Sequence, residues 1–275
     1  MSEDPNDRPL VNGHPDLARR YHETFERSVS SRTEEDERIL RVMGYLHRLV
    51  GRDRIKNVLV LGCGPRPQPI ACLRNAGYET RGIEPIKSFV ESANAFLGAP
   101  LVTEGAAERI SLPDASQDLV LFEAVLEHVE SPEDSLKEIF RVTSPGGIAV
   151  VSTTNRHRFR LTGENGEYRV PFYNWFPALV KESYVFHHLH VRPHLANYSL
   201  RPAVHWFTYS ELCRLGRYAG FAQFYSLIDL VRPSDPSVQR SLVRRMAYKL
   251  IQKSPWVRAL ALTQVGDFVI MYKRP

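Results

Sequence analysis

What most constrains the fold of this chain is a series of short apolar segments separated by stretches of helical character, beginning at Asn57. Candidate strands fall at 57–61, 79–84, 100–103, 117–123 and 147–153. Such alternation reads as an α/β chain, a parallel sheet whose crossover helices cover both faces. The first segment, Asn57-Val58-Leu59-Val60-Leu61, is nearly continuous in apolar character, as a strand buried on both sides must be. Between the fourth and fifth strands, Ser131-Pro132-Glu133-Asp134 supplies an N-cap, a proline in the first turn and acids near the positive helix end. A helix to about Val142 is expected there, stopped at Ser144-Pro145-Gly146-Gly147.

The flanks are organised around this series. A length of 275 residues, 43% of them hydrophobic, is enough for one large domain with a sizeable insertion. Residues 1–15, with Pro5, Pro9, Gly13 and Pro15, read as a flexible lead-in, and residues 16–154 as N-terminal helices followed by the first half of the domain. From about Leu17 to Arg54 the chain is charged and helical. Ile39, Val42, Met43, Leu46 and Leu49 recur at three- and four-residue spacing, so one face should pack on the domain and the other stay solvated. At 155–207 the rhythm breaks: this stretch holds 11 of the 28 aromatic residues and six of the ten histidines, and reads as an inserted substrate or lid region. Order returns in 208–275, where Thr208-Tyr209-Ser210-Glu211 is a capping box for a helix through Ala219. A strand from about Phe221 to Val231 and a last one from Asp267 to Lys273 should then flank a basic helical excursion at about 236–262.

Charge and cysteine usage narrow the setting. The net charge of +5 is modest, yet between Asp235 and Asp267 lie Arg240, Arg244, Arg245, Lys249, Lys253 and Arg258 with no acid among them, which favours anionic company. Val243, Met246, Ala247, Leu250 and Ile251 keep helical spacing on one side of this stretch, with Arg245, Lys249 and Lys253 on the other. Such a helix either docks on the sheet between the last two strands or lies on an anionic bilayer. Cys63, Cys72 and Cys213 form no CxxC pair, and Met1 to Asp7 lacks the basic and then apolar stretch of a signal peptide. No run approaches the roughly 20 apolar residues of a membrane span. The expected location is cytoplasmic, with peripheral contact at the inner face of the membrane as the second option.

The first strand ends in Gly62-Cys63-Gly64, where missing side chains let backbone approach a ligand, and about twenty residues later the second ends in Gly82-Ile83-Glu84. That acid stands where a ribose's hydroxyls could donate to it. A dinucleotide fingerprint starting at Gly62 would need glycine at position 67, which is Pro67, so a pyrophosphate cradle is disfavoured. Further along come Gly105-Ala106-Ala107-Glu108, then Leu112-Pro113-Asp114, then Glu123 and Leu126-Glu127-His128-Val129, and Val142-Thr143-Ser144-Pro145-Gly146-Gly147 before an apolar strand. In this order, over about 57–154, the chain resembles the class I S-adenosylmethionine-dependent methyltransferases. The resemblance implies a Rossmann-like, seven-stranded, mostly parallel sheet with helices on both faces and an inserted lid. It implies S-adenosyl-L-methionine as cofactor, with Gly62, Cys63 and Gly64 on its methionine part, Glu84 on the ribose, and Ala107, Glu108 and Glu123 completing the pocket. Two departures stand out: Arg66, among Pro65, Pro67 and Pro69, where many members have a third glycine, and Ala106 where the family often has an aspartate for the adenine amino group.

Methyl transfer to an alcohol needs a proton acceptor, and histidine is the usual one near neutral pH. His128 is the favoured base, because it follows the fourth strand at the carboxyl edge of the sheet; His188 and His205 are further candidates, with His194 behind them. Glu127-His128 also resembles the metal-binding pair of ubiquinone-pathway O-methyltransferases and small-RNA 2′-O-methyltransferases. The glutamate those families carry three residues before the pair's glutamate is Ala124 here, with Glu123 one residue early, so no metal site is assigned. Arg156, Arg158, Arg160 and Arg169 would suit an anionic group on the acceptor, and the insertion's aromatics a ring. The expected reaction is O-methylation of a small molecule, sugar or lipid-linked glycan, as the surface-glycan methyltransferases resembled here would suggest. An RNA methyltransferase and an inactive cofactor-binding scaffold are the alternatives.

Overall fold

The computed structural model describes residues 32–153, 155–156, 203, 205–265 and 268–275, with isolated positions at 177, 180, 183 and 184. Contacts divide the chain into two compact units, residues 31–158 with 206–275, and residues 1–30 with 159–205. The first carries the sheet. Its elements are α1 (Arg32–Val50), a 3-10 turn (Arg52–Arg54), β1 (Asn57–Leu61), α2 (Gln68–Asn75), β2 (Glu79–Glu84), α3 (Lys87–Leu97), β3 (Val102–Glu104), β4 (Gln117–Glu123), α4 (Pro132–Val142) and β5 (Thr143–Ser152). After residue 207 come α5 (Tyr209–Ala219), β6 (Gln223–Ser226), α6 (Leu227–Leu230), α7 (Pro236–Gln239), α8 (Leu242–Lys253), α9 (Pro255–Val265) and β7 (Phe268–Tyr272). The lead-in at 1–15 and nearly all of the 155–207 segment lie outside the described residues.

Seven strands pair in the order β3-β2-β1-β4-β5-β7-β6. The first five run parallel, and β7 runs antiparallel to both β5 and β6. This is the expected Rossmann-like α/β sheet. Period-two alternation along each strand builds two cores. Leu59, Leu61, Val120, Phe122, Ala149 and Val151 face α4 and α5 through Leu136, Ile139 and Leu212. Their neighbours Val58, Val60, Leu119, Leu121, Ile148 and Val150 face α1, α2 and α3 through Met43, Leu46, Ile70, Leu73 and Ala93. Helices therefore cover both faces.

Several boundaries differ from the expectation for identifiable reasons. The chain does not pause at Ser144-Pro145-Gly146-Gly147, because β5 already begins at Thr143. Two steps on β4, from Gln117 to Leu119, answer five on β5, from Thr143 to Ile148, so the segment is a bulge inside the strand. Gly146 has φ 79, and a Cβ on Gly147 would stand 2.8 Å from the Ser144 carbonyl and 3.0 Å from that of Asp118. The strand expected from Phe221 to Val231 is confined to β6. Ser226 ends it, since its N–H and hydroxyl both donate to Asp229, at 2.8 and 2.7 Å, and cap α6. The outer face of α1 is not merely solvated: Arg38 reaches Glu123, Asp36 accepts from Gln68, and Arg48 pairs with Asp235.

Candidate functional site

Strand order reverses between β1 and β4, and ligands of such sheets sit in the crevice beyond the carboxyl ends at that reversal. The glycine loop opens there. Gly62 and Gly64 have φ 63 and 67, left-handed values that side chains resist. A Cβ on Gly62 would also overlap Val125, so the first turn after β4 lies directly against the loop. Prolines stiffen the passage from this loop into α2. Pro65 and Pro67 are buried, Pro67 is the N-cap of α2 and Pro69 lies in its first turn, while Arg66 is exposed.

Glu84 ends β2, beside β1, and only 4% of it is exposed. Its Oε2 accepts from the N–H of Gly64 at 3.0 Å and its Oε1 from that of Ile86 at 3.2 Å. The acid thus ties the glycine loop to the next strand. These bonds orient the Glu84 carboxylate at the sheet edge. Cys63 packs rather than reacts: burial first, and then the Glu84 carboxylate, push its thiol far above the usual range, and its Sγ fills the space that a Cβ on Gly82 would need.

Beyond β4 the chain turns sharply. Ala124 holds φ 54, a strained value for a residue with a side chain, and its N–H donates to the Ser152 carbonyl at 3.0 Å. His128 closes the turn, its N–H bonded to the Val125 carbonyl at 2.8 Å, and its side chain is half-buried next to the buried Glu127. Glu123 takes both guanidinium nitrogens of Arg38, at 2.9 and 3.3 Å. Burial above all, with Asp36 and Glu123 nearby and Arg38 opposing, raises the Glu35 carboxyl above the ordinary range. An Arg-linked carboxylate cluster from α1 and β4 therefore occupies this edge. Glu35 and Arg38 escape a reading of α1 as solvated on its outer face, although acidic and basic residues three apart on a helix can converge on one partner.

The remaining candidates separate. Ala107 is buried in the core on the α4 side. Glu108 accepts through Oε1 from the N–H of Glu130 at 2.8 Å and that of Ser131 at 3.4 Å, so it braces the approach to α4. Arg141 of α4 clamps the 110–114 loop by donating to the Ile110 and Leu112 carbonyls at 2.7 and 2.9 Å and to Asp114 at 2.6 Å. Asn155 bridges Phe207, and Arg156 donates to Glu211 at 3.0 Å. His205 is half-buried. His188, His194, the other histidines at 187 and 190, and Arg158, Arg160 and Arg169 lie outside the described residues.

Glycine turn, buried acid and an opposed β4 turn thus meet at one sheet edge, with Val125 packed against Gly62. Residues 59–151 match the methyltransferase domain family. Over these residues the chain is similar to methyltransferases. S-adenosyl-L-methionine is the cofactor that the relatives' names give. A probable S-adenosylmethionine-dependent methyltransferase of Mycolicibacterium smegmatis is 30% identical over 136 residues, covering 50% of this chain and 52% of that protein. Norajmaline N-methyltransferase of Rauvolfia serpentina is 29% identical over 109 residues, 37% of each chain. The chain thus spans about half the length of the first relative and less of the second. A solved S-adenosylmethionine-dependent methyltransferase from Archaeoglobus fulgidus shares the fold at a TM-score of 0.53, with 17% identity over 92% of this chain and 99% of that one.

Proposed function

We propose that this methyltransferase domain moves a methyl group to a hydroxyl of a small molecule, sugar or lipid-linked glycan. The observation that carries the reading is the fixed apposition of the glycine loop and the β4 turn: Val125 touches Gly62 and accepts from His128. A cofactor seated by Gly62, Gly64 and Glu84 supplies a methyl group already activated on a sulfonium. The protein's part is alignment, exclusion of water and removal of one proton. His128 is the acceptor of that proton, and its turn leaves no slack because the Ala124 backbone is anchored to β5. The Thr153 hydroxyl, at the carboxyl end of β5, is buried without a hydrogen-bond partner among the described residues and would meet a polar group of an acceptor.

An amine acceptor is the second reading, prompted by the N-methyltransferase among the relatives. A neutral amine attacks without first losing a proton, so the two readings differ in their need for His128. The test is to incubate the full chain with methyl-labelled cofactor and cell extract and to identify the labelled product by mass spectrometry. We expect an O-methylated product, and His128→Asn should lower its formation by about a hundredfold or more while cofactor affinity is unchanged. An N-methylated product made equally well by the variant would replace the first reading with the second.

A further inference from the structure

The six cations between Asp235 and Asp267 fall on α7, α8 and α9 or at their ends, and large apolar side chains of α8 and α9 stand exposed. No residue of α8 is buried. Leu242, Val243, Met246 and Leu250 are 65, 75, 57 and 54% exposed, and on α9 Trp256 and Leu260 are 86 and 68% exposed. α8 is seated by its opposite side, where the Tyr248 hydroxyl donates to the Val231 carbonyl and Gln252 to that of Ile228, both at 3.4 Å. The outward apolar stripe faces away from the side that carries Tyr248 and Ile251, the two half-buried residues of the helix. Scattered exposed apolar residues are ordinary, whereas six large ones on two adjoining helices mark an interaction site.

Charge says which kind. Arg245, Lys249 and Lys253 recur every four residues and flank the apolar stripe on one side. Beyond its other side lies a cavity of about 550 Å³ between α1 and α7–α8, lined by Arg41, Arg48, Arg240 and Arg244. Asp235 is the one carboxylate among its described lining residues, and Arg48 takes it up at 2.8 Å. An apolar stripe between cationic borders, with an exposed tryptophan at its end, matches a surface that is negative on top and hydrocarbon beneath. A nucleic acid would use the cations and leave the apolar residues in water.

We infer that α8 and α9 form a docking face for anionic phospholipid bilayers, with Val243, Met246, Leu250 and Trp256 entering the acyl boundary and the arginine-lined cavity receiving headgroup phosphate. No helix among the described residues is long and apolar enough to cross a membrane, so the attachment is peripheral. The inference stands apart from methyl transfer and fails or succeeds separately. Its test is co-sedimentation of the full chain with phosphatidylcholine vesicles with and without phosphatidylglycerol. Binding is expected to the anionic vesicles, at least about tenfold weaker to the neutral ones, and weaker again by about fivefold for each of Lys249→Gln and Lys253→Gln. Met246→Glu with Leu250→Glu should abolish it while S-adenosylmethionine binding persists. As a check that needs no folded double variant, brominated lipid should quench the tryptophan emission of the native chain more than that of Trp256→Phe. The inference is overturned by absence of binding to anionic vesicles, by binding that ignores the glutamate substitutions, by salt-sensitive RNA binding in place of vesicle binding, or by a dimer in light scattering that these substitutions dissociate.

Discussion

Gly62 and Glu84 do different work at one junction. Gly62 is glycine because its φ and the Val125 side chain both forbid a Cβ, and Glu84 is an acid because two backbone N–H groups need a buried acceptor. Away from the site, His47 offers a cleaner single-residue test. Its Nε2 lies 2.8 Å from the Tyr78 hydroxyl, and burial, with Arg52 nearby, holds its pKa below the ordinary 6.5. As pH falls through about 6.5 the unfolded chain accepts a proton here that the folded chain resists, so stability is lost until the folded pKa is passed. Thermal melts of His47→Gln should therefore decline less between about pH 7 and about pH 5 than those of the native chain. The glycines and Glu84 are legible in the sequence because a motif at strand ends carries its own chemistry. Arg38 with Glu123, and Arg156 with Glu211, are not, since which charges meet is decided by helix placement and no local pattern encodes it.

Elements divide in the same way. The capping box before α5 is readable from spacing alone, and it is present: the Thr208 hydroxyl accepts from the Glu211 N–H at 3.2 Å and Glu211 accepts from the Thr208 N–H at 2.8 Å. Thr208→Ala should cost about 1 kcal/mol and lower the melting temperature by about 2–4 °C, measured by calorimetry, with cofactor affinity unchanged. The bulge in β5 looks like a stop in the sequence because Pro-Gly-Gly marks turns and bulges alike. The early end of β6 is hidden there because Leu227–Leu230 is apolar enough for either state, and only the Ser226–Asp229 cap decides. Nor does the pattern of α8 give its orientation, because the polar residues that seat it, Tyr248 and Gln252, depend on carbonyls far away in sequence.

At the scale of the whole molecule, the mostly parallel sheet positions every part of the account. Its strand order creates the crevice between β1 and β4, α1 and the β4 turn frame that edge, and α8 and α9 sit on the same unit between β6 and β7 in the chain. The central claim is that the edge holds S-adenosylmethionine through the glycine loop and Glu84, and titration calorimetry tests it most directly. The full chain should bind S-adenosylmethionine saturably at one site, and Glu84→Gln, which keeps the shape but removes the charge, should weaken binding at least about tenfold without unfolding the protein. A native chain that gives no saturable binding, or a folded Glu84→Gln variant that binds as tightly as the native chain, would contradict the account.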